Sequence, residues 1–539
     1  MKNLASRLPK TLNQPTFPII LILIANLIAG LFTFQDYGLS WDEPLFYQYA
    51  EAIPYAYSIS ARQSGDFDIE KAFGPSAADH KIYGPVYLLL AKPAVDLLDW
   101  MLPIPRADLW HLINFLSFQV GVVFFFALCL RWMSSWAACG ATLLFSTQPV
   151  LWGHSWINPK DIPFTVFFLA ALYFGFKMVD ALSDSTGVAS ISFPSDSEVL
   201  ARRLRSWRVI LQGLAIFFMA ITLTGYIFNT QIQGWVRDLI HNAYLAPPVS
   251  LTGKIFGFLA VNAQTIPESA YISKGLVLLQ RMKSTLAILT MALLLPAIGL
   301  TFWMPFIQRI NRWLVEALSP LPVKPAWWWS RICSWRVLLK TILAGILLGL
   351  VVSIRVIGPL AGVLVGLYFL FKPGRRSLAG MTIYFIAAVL SLYISWPYLW
   401  SSPLARFIDV LQHMSHNPKI LPVLFNGLVF PSDKLPGTYL PVMLGSTLTW
   451  PVWPLFFAGV LVFWSRLKSR VVDWRSFIPI VLWFLVPFVY VLIIRPPMYD
   501  GYRHFLFLLP PVFILSGLAF QAIAERLRIP WSYALTLMR

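Results

Sequence analysis

Residues 17–44 read FPIILILIANLIAGLFTFQDYGLSWDEP, an apolar run from Phe17 to Phe34 that stops at a polar, acidic stretch. A run of that length, at about 1.5 Å per helical residue, comes close to the hydrocarbon thickness of a bilayer. Lys2, Arg7 and Lys10 precede it, as basic residues precede a secretory signal. The run is too long for a typical signal core, however, and no small-x-small cleavage site stands before Asp36. It therefore reads as a retained first span with a cytoplasmic N-terminus.

Similar runs recur along the chain. Spans are expected near Leu109–Leu130, Ala137–Leu151, Ile162–Phe176, Ile210–Phe228 and Leu286–Phe306, then near Ala379–Trp396, Tyr439–Trp464, Ile478–Ile494 and Phe505–Ile523. The run Leu338–Phe371 is too long for one crossing and short for two, so it reads as a hairpin of two short helices turning near Arg355 to Pro359. The expected fold is an all-α polytopic membrane protein, a single domain over residues 1–539 with about twelve transmembrane helices. Three long outer loops follow from that topology: Gln35–Asp108, Asn229–Lys283 and Tyr398–Gly437. Within the first, Val86–Leu102 is apolar but carries Lys92, Asp96 and Asp99, which suits an interfacial helix.

Composition agrees with a bilayer as solvent. The 539 residues are 58% hydrophobic and 12% charged, with mean hydropathy +0.67. Forty-two Lys and Arg against 24 Asp and Glu give a formal +18. In a soluble chain that excess would suggest nucleic acid. Here the basic residues favour the segments assigned to the cytoplasmic side, so topology accounts for most of it and no nucleic-acid partner is expected. Cys129, Cys139 and Cys333 have no metal-like spacing and read as buried thiols. The segment Ser183–Glu198 is Ser-rich and reads as a linker.

Four places hold polar groups where a membrane protein would be expected to carry chemistry. Gly38–Pro44 puts Asp42 and Glu43 just beyond the first span, where paired carboxylates can supply a base and a second orienting group, although a solvated loop start would look the same. The stretch WGHSWINPKDIP, Trp152–Pro163, contains His154, Asn158, Lys160 and Asp161 at the start of a span, either as a site or as a plain helix-start pair. The stretch RPPMYDGYRH, Arg495–His504, brings Tyr499, Asp500, Arg503 and His504 between the last two spans, where Arg and His can hold a phosphate or simply snorkel. Arg355, in the turn of the short hairpin, would line a cavity or reach the headgroups. His413 and His416 are weak evidence, and the aromatics of WPYLW, Trp396–Trp400, read as interface anchors.

The ordered set of Asp42-Glu43, HSWINPKDIP, SIRVIGP, WPYLW and YDGYRHF resembles the dolichyl-phosphate-mannose protein mannosyltransferases, glycosyltransferase family 39, and their bacterial relatives within the GT-C superfamily. The resemblance runs over most of the chain, apart from residues 229–283, and no soluble repeat module of the eukaryotic kind is present. It implies an inverting hexosyl- or pentosyltransferase that moves a sugar from a polyprenyl-phosphate carrier to an acceptor hydroxyl on the extracytoplasmic face, in a bacterial plasma membrane. Asp42 would be the catalytic base, with Glu43 beside it and Asp161 organising the site. Arg503, Lys160, Arg355 and His504 would bind the donor phosphate, and His154, Asn158, Tyr499 and Asp500 would line the site. The resemblance leaves open whether a divalent metal assists, since relatives differ on this. The partners implied are the lipid-linked donor, an acceptor of unspecified class and membrane lipids. A flippase or transporter of lipid-linked sugars is the chief rival, although no internal repeat of the transporter kind is evident. A ligase or polymerase of the other GT-C branch would lack the early Asp-Glu, and a non-catalytic scaffold is the remaining alternative.

Overall fold

The computed structural model describes residues 17–75, 80–183, 212–216, 218–245, 267–318, 335–372, 378–415, 420–468 and 474–527. Cys333, His416 and all but the first residue of the Ser-rich linker lie outside them. Among the described residues, six helices are long and apolar enough to cross a membrane: Arg106–Cys129, Asp161–Ser183, Glu268–Leu295, Val337–Ile354, Leu378–Ser395 and Phe477–Ile494. Two sharply bent pairs, Gln212–Ile227 with Asn229–Leu245 and Tyr439–Thr447 with Val452–Lys468, raise the number to eight if each is one span. The chain is thus a helical, multi-pass integral membrane protein.

The expected count of about twelve spans is not reached among the described residues, and the breaks explain why. The run Ala137–Leu151 divides ahead of Pro149 into helices Ser135–Ser146 and Pro149–Ile157 of 12 and 9 residues. At about 1.5 Å per residue neither crosses about 30 Å of hydrocarbon. The run Tyr439–Trp464 bends by 107°. Leu338–Phe371 is a hairpin turning at residues 355–358, but only its second helix, Pro359–Phe371, is short; the first, Trp335–Ile354, has 20 residues.

The chain divides into two compact units, Met1–Gly187 with Pro325–Arg539, and Val188–Lys324. In the first, helix Trp335–Ile354 packs on Leu378–Ser395 and on Asp161–Ser183, which also packs on Arg106–Cys129. A Cβ on Gly349 would stand 2.2 Å from the Ala388 carbonyl, so only glycine lets these helices come so close, the small-residue contact common between spans. Helix Val86–Met101 is where sequence places it. It buries Val86, Tyr87, Leu88, Ala91 and Val95, while Lys92 pairs with Asp96 at 2.6 Å and Arg106 with Asp99 at 2.9 Å.

Segments expected as loops are partly ordered. Residues 398–437 contain helix Pro403–Ser415 and an antiparallel hairpin of Pro422–Phe425 and Leu428–Pro431, joined by the two-residue Asn426-Gly427 turn favoured in hairpins. Trp396 is no interface anchor. It is fully buried with Leu399 and Val410, and its indole N–H donates to the Lys81 carbonyl at 3.0 Å.

In the second unit, Asn229–Leu245 is a helix and Glu268–Leu318 another, although 229–283 reads as a loop. Asn229–Leu245 is too polar to show as an apolar run, and among its residues only Ala243 is buried. His241 and Glu268, 2.8 Å apart, join the two helices.

Candidate active site

Asp42 immediately precedes helix Glu43–Ala52, which Pro44 helps to start. Glu43 is wholly buried. Its Oε2 accepts the Ser40 N–H at 2.6 Å, and its Oε1 accepts the Tyr47 hydroxyl and lies 2.9 Å from His111 Nε2. Glu43, the first residue of the helix, thus reaches back to fix the turn that precedes it. The Ser40 hydroxyl donates to the Ile157 carbonyl at 3.1 Å, tying the segment to the end of helix Pro149–Ile157. Both Glu43 oxygens are therefore engaged inside the fold. Asp42, by contrast, keeps 17% of its side chain exposed, and its Oδ2 lies 2.9 Å from Arg503 Nη2.

The start of helix Asp161–Ser183 is built by Asn158. Its Oδ1 accepts the N–H groups of Lys160 at 3.2 Å and Asp161 at 2.8 Å, and its Nδ2 donates to Asp161 Oδ2 at 2.9 Å. Such a side-chain cap satisfies N–H groups that a helix start leaves unpaired. Asp161 Oδ1 is ion-paired with Arg355, carried by the turn of the short hairpin. Lys160 is 6% exposed, with its ammonium 4.3 Å from the centre of the Tyr83 ring and 5.3 Å from that of Phe46.

The third segment turns sharply because Asp500 and Gly501 both take positive φ, 52° and 70°. Its ends are fixed by Met498 N–H to the Ser432 carbonyl at 3.1 Å and by Tyr502 and Thr447 hydroxyls 2.7 Å apart. Arg503 is buried, with its guanidinium 5.0 Å from the Tyr499 ring centre and 5.8 Å from that of Trp41. Asp500 Oδ2 lies 3.3 Å from Arg503 Nη1 and accepts the Trp41 indole N–H at 3.3 Å. His504 stands edge-on to Tyr499, ring centres 4.9 Å apart.

Contacts join these segments: Ser40 reaches Ile157, Trp41 and Asp42 reach Asp500 and Arg503, Asp161 pairs with Arg355, and the Lys160 ammonium lies against Tyr83. Burial pushes His504 well below its ordinary pKa, and Arg355, Lys160, Arg503 and His154 push it the same way. His154 is lowered to about 4 by burial and by Arg503, with Asp500 opposing. Arg355 is lowered by burial, Tyr83 opposing. Both histidines are thus neutral near pH 7. A group whose folded pKa is depressed below its unfolded value of about 6.5 binds fewer protons in the folded state, so stability is lost as pH falls from about 6.5 to about 4. Wild type is expected to lose more thermal stability than His154→Gln in detergent over that window. Parallel pH dependence of the two melting curves would refute it.

Asp42, Arg503, Asp500, Tyr499, His504, His154, Lys160, Arg355, Asn158 and Asp161 are therefore brought into one cluster, with Glu43 buried at its edge. Sequence reading missed Tyr83, Trp41, and the buried His111 and Asn114, whose Nδ2 donates to the Trp156 carbonyl at 2.8 Å. The last two stand one turn apart in an apolar span, and buried polar groups at that spacing were a usable signal. Among the described residues, no group of three or more His, Cys, Asp or Glu side chains is arranged to hold a metal ion.

No described protein family matches the chain, and no curated protein matches it in sequence. Among solved structures it is similar to the apo form of the Archaeoglobus fulgidus oligosaccharyltransferase, with 14% identity and a TM-score of 0.37. The match covers 94% of this chain and 51% of that one, so this chain spans about half the length of that protein.

Proposed function

We propose that the chain is an inverting glycosyltransferase that moves a sugar from a polyprenyl-phosphate carrier to an acceptor hydroxyl at the extracytoplasmic face of the membrane. The observation that carries this reading is Lys160. Arg355 is matched by Asp161, and Arg503 by Asp42 and Asp500, whereas Lys160 is buried with no carboxylate partner among the described residues. A buried charge without a counter-charge is costly, and a donor phosphate entering the cluster would supply one. An apolar cleft of about 460 Å³ supports a lipid-linked donor. It is lined by Leu348, Val352, Pro359, Val363, Leu392 and Phe407, so it begins on either side of the turn that carries Arg355.

In the proposed reaction Asp42 takes the proton of the acceptor hydroxyl as the oxygen attacks the anomeric carbon. The bond from that carbon to the phosphate oxygen breaks, the configuration inverts, and polyprenyl phosphate leaves as a stable anion, so no general acid is required. Arg503 holds Asp42 in place and Lys160 neutralises the leaving phosphate. Glu43, expected in the catalytic pair, positions the Asp42 segment through Ser40 and His111. Asp161 keeps Arg355 in place.

Purified protein in nanodiscs, supplied with a radiolabelled polyprenyl-phosphate sugar and candidate acceptors, should transfer label from lipid to acceptor with inverted anomeric configuration. Label that crosses the membrane while still on the lipid would make the chain a flippase and overturn the reading.

A further inference from the structure

Tyr83 takes no part in the reaction proposed above, yet it is one of the most firmly positioned groups in the cluster. The loop carrying it, residues 80–85, is held at three points. Trp396 donates to the Lys81 carbonyl at 3.0 Å, and the Tyr49 hydroxyl donates to the Tyr83 carbonyl at 3.2 Å. Gly84 lies against the end of helix Trp335–Ile354, where a Cβ would stand 2.1 Å from the Ser353 carbonyl oxygen. Only glycine allows the loop to come so close to the turn that carries Arg355. Tyr83 keeps part of its surface exposed, and the Lys160 ammonium lies 4.3 Å from the centre of its ring.

We propose that the Tyr83 hydroxyl is a ligand of the donor phosphate, donating a hydrogen bond to a phosphate oxygen beside the Lys160 ammonium. The proposal rests on the reading of the chain as a transferase using a polyprenyl-phosphate sugar. A phenol has one O–H to donate, so with the ammonium against its ring it can still point its proton at an anion. Lys160 would then serve the phosphate by charge while Tyr83 supplies direction, which a flexible lysine supplies poorly. Phenylalanine at this position would keep the ring beside the ammonium and lose only the donated bond.

The charged groups that act on Tyr83 are Lys160, Arg355 and Asp42. Burial alone would raise its phenol, but Lys160 and Arg355 outweigh burial and Asp42 and hold it below its ordinary value. The donor proton is therefore lost at lower pH than for a free phenol, and the phenolate left behind repels phosphate. Affinity for an anionic lipid should fall on the alkaline side earlier than the usual phenol range.

The test uses the full chain in neutral-lipid nanodiscs, with undecaprenyl phosphate and the uncharged alcohol undecaprenol as probes. Wild type should bind the phosphate more tightly than the alcohol, and Tyr83→Phe should weaken the phosphate about tenfold or more while leaving the alcohol unchanged. Tyr83→Phe should also shift the alkaline fall in phosphate affinity to higher pH. Equal loss of both probes, or no loss of either, would overturn the assignment of Tyr83 and leave the transferase reading standing. Wild type that does not prefer phosphate to alcohol would instead overturn the transferase reading. If Tyr83→Phe does not fold, Tyr83→Leu takes its place with the same two probes, and equal loss of both or no loss of either again overturns the assignment.

Discussion

Replacing Asp42 with Asn should lower sugar transfer by about a hundredfold or more, the usual contribution of a general base. Asn keeps the size of Asp and part of its hydrogen bonding, but it cannot take the proton of an acceptor hydroxyl. The ion pair with Arg503 sharpens the expectation for binding. The substitution removes a charge that competes with phosphate for the guanidinium, so the phosphate donor should bind at least as well as it does to wild type. A variant that turns over slowly yet holds its donor is the signature of a lost transition-state role. Single-turnover transfer and equilibrium donor binding, measured on the same nanodisc preparation, separate the two effects. Transfer at the wild-type rate would remove Asp42 from the role of base.

The second large effect concerns stability. Arg355→Met should cost about 3–5 kcal/mol, because removing one member of a buried pair leaves the other charge without compensation. Asp161 is nearly inaccessible, and among the described residues only Asn158 would remain to satisfy it. The double variant Asp161→Asn, Arg355→Met should recover much of the loss, since no buried charge is then stranded. Thermal unfolding of the three proteins in one detergent gives the coupling directly. A single variant as stable as wild type, or a double variant no better than the single, would mean that the pair is not buried as described.

The reach of the sequence can be judged from particular residues. Helices Phe17–Thr33, Arg106–Cys129, Leu378–Ser395 and Trp474–Ile494 were legible because a long apolar run has few alternatives to a helix in lipid. The turn at Arg355 was legible from length alone. The breaks before Pro149 and within Tyr439–Trp464 were not, since hydropathy averaged over a window does not respond to a single bend. The polar helix Asn229–Leu245 was missed for the opposite reason, having no apolar run to report it.

Three segments of the candidate site were visible as polar residues in places where lipid makes polarity expensive. Their pairing was not. Asp42 and Arg503 are more than four hundred residues apart in the chain, and Asp161 and Arg355 nearly two hundred. Nothing local distinguishes Asp42, which keeps an exposed edge and a cationic partner, from Glu43, which spends both oxygens on Ser40, Tyr47 and His111. Tyr83 looked like any tyrosine in a loop until the packing of Trp396 and Gly84 set it beside Lys160. The sequence by itself determined that this is a helical membrane protein with charged groups at the ends of its spans, because hydrophobicity and chain length act locally and can be counted along a chain. Which charges neutralise one another, and which ammonium is left without a carboxylate partner among the described residues, only the tertiary structure decided, because Coulomb forces and burial depend on distances in space that sequence separation does not encode.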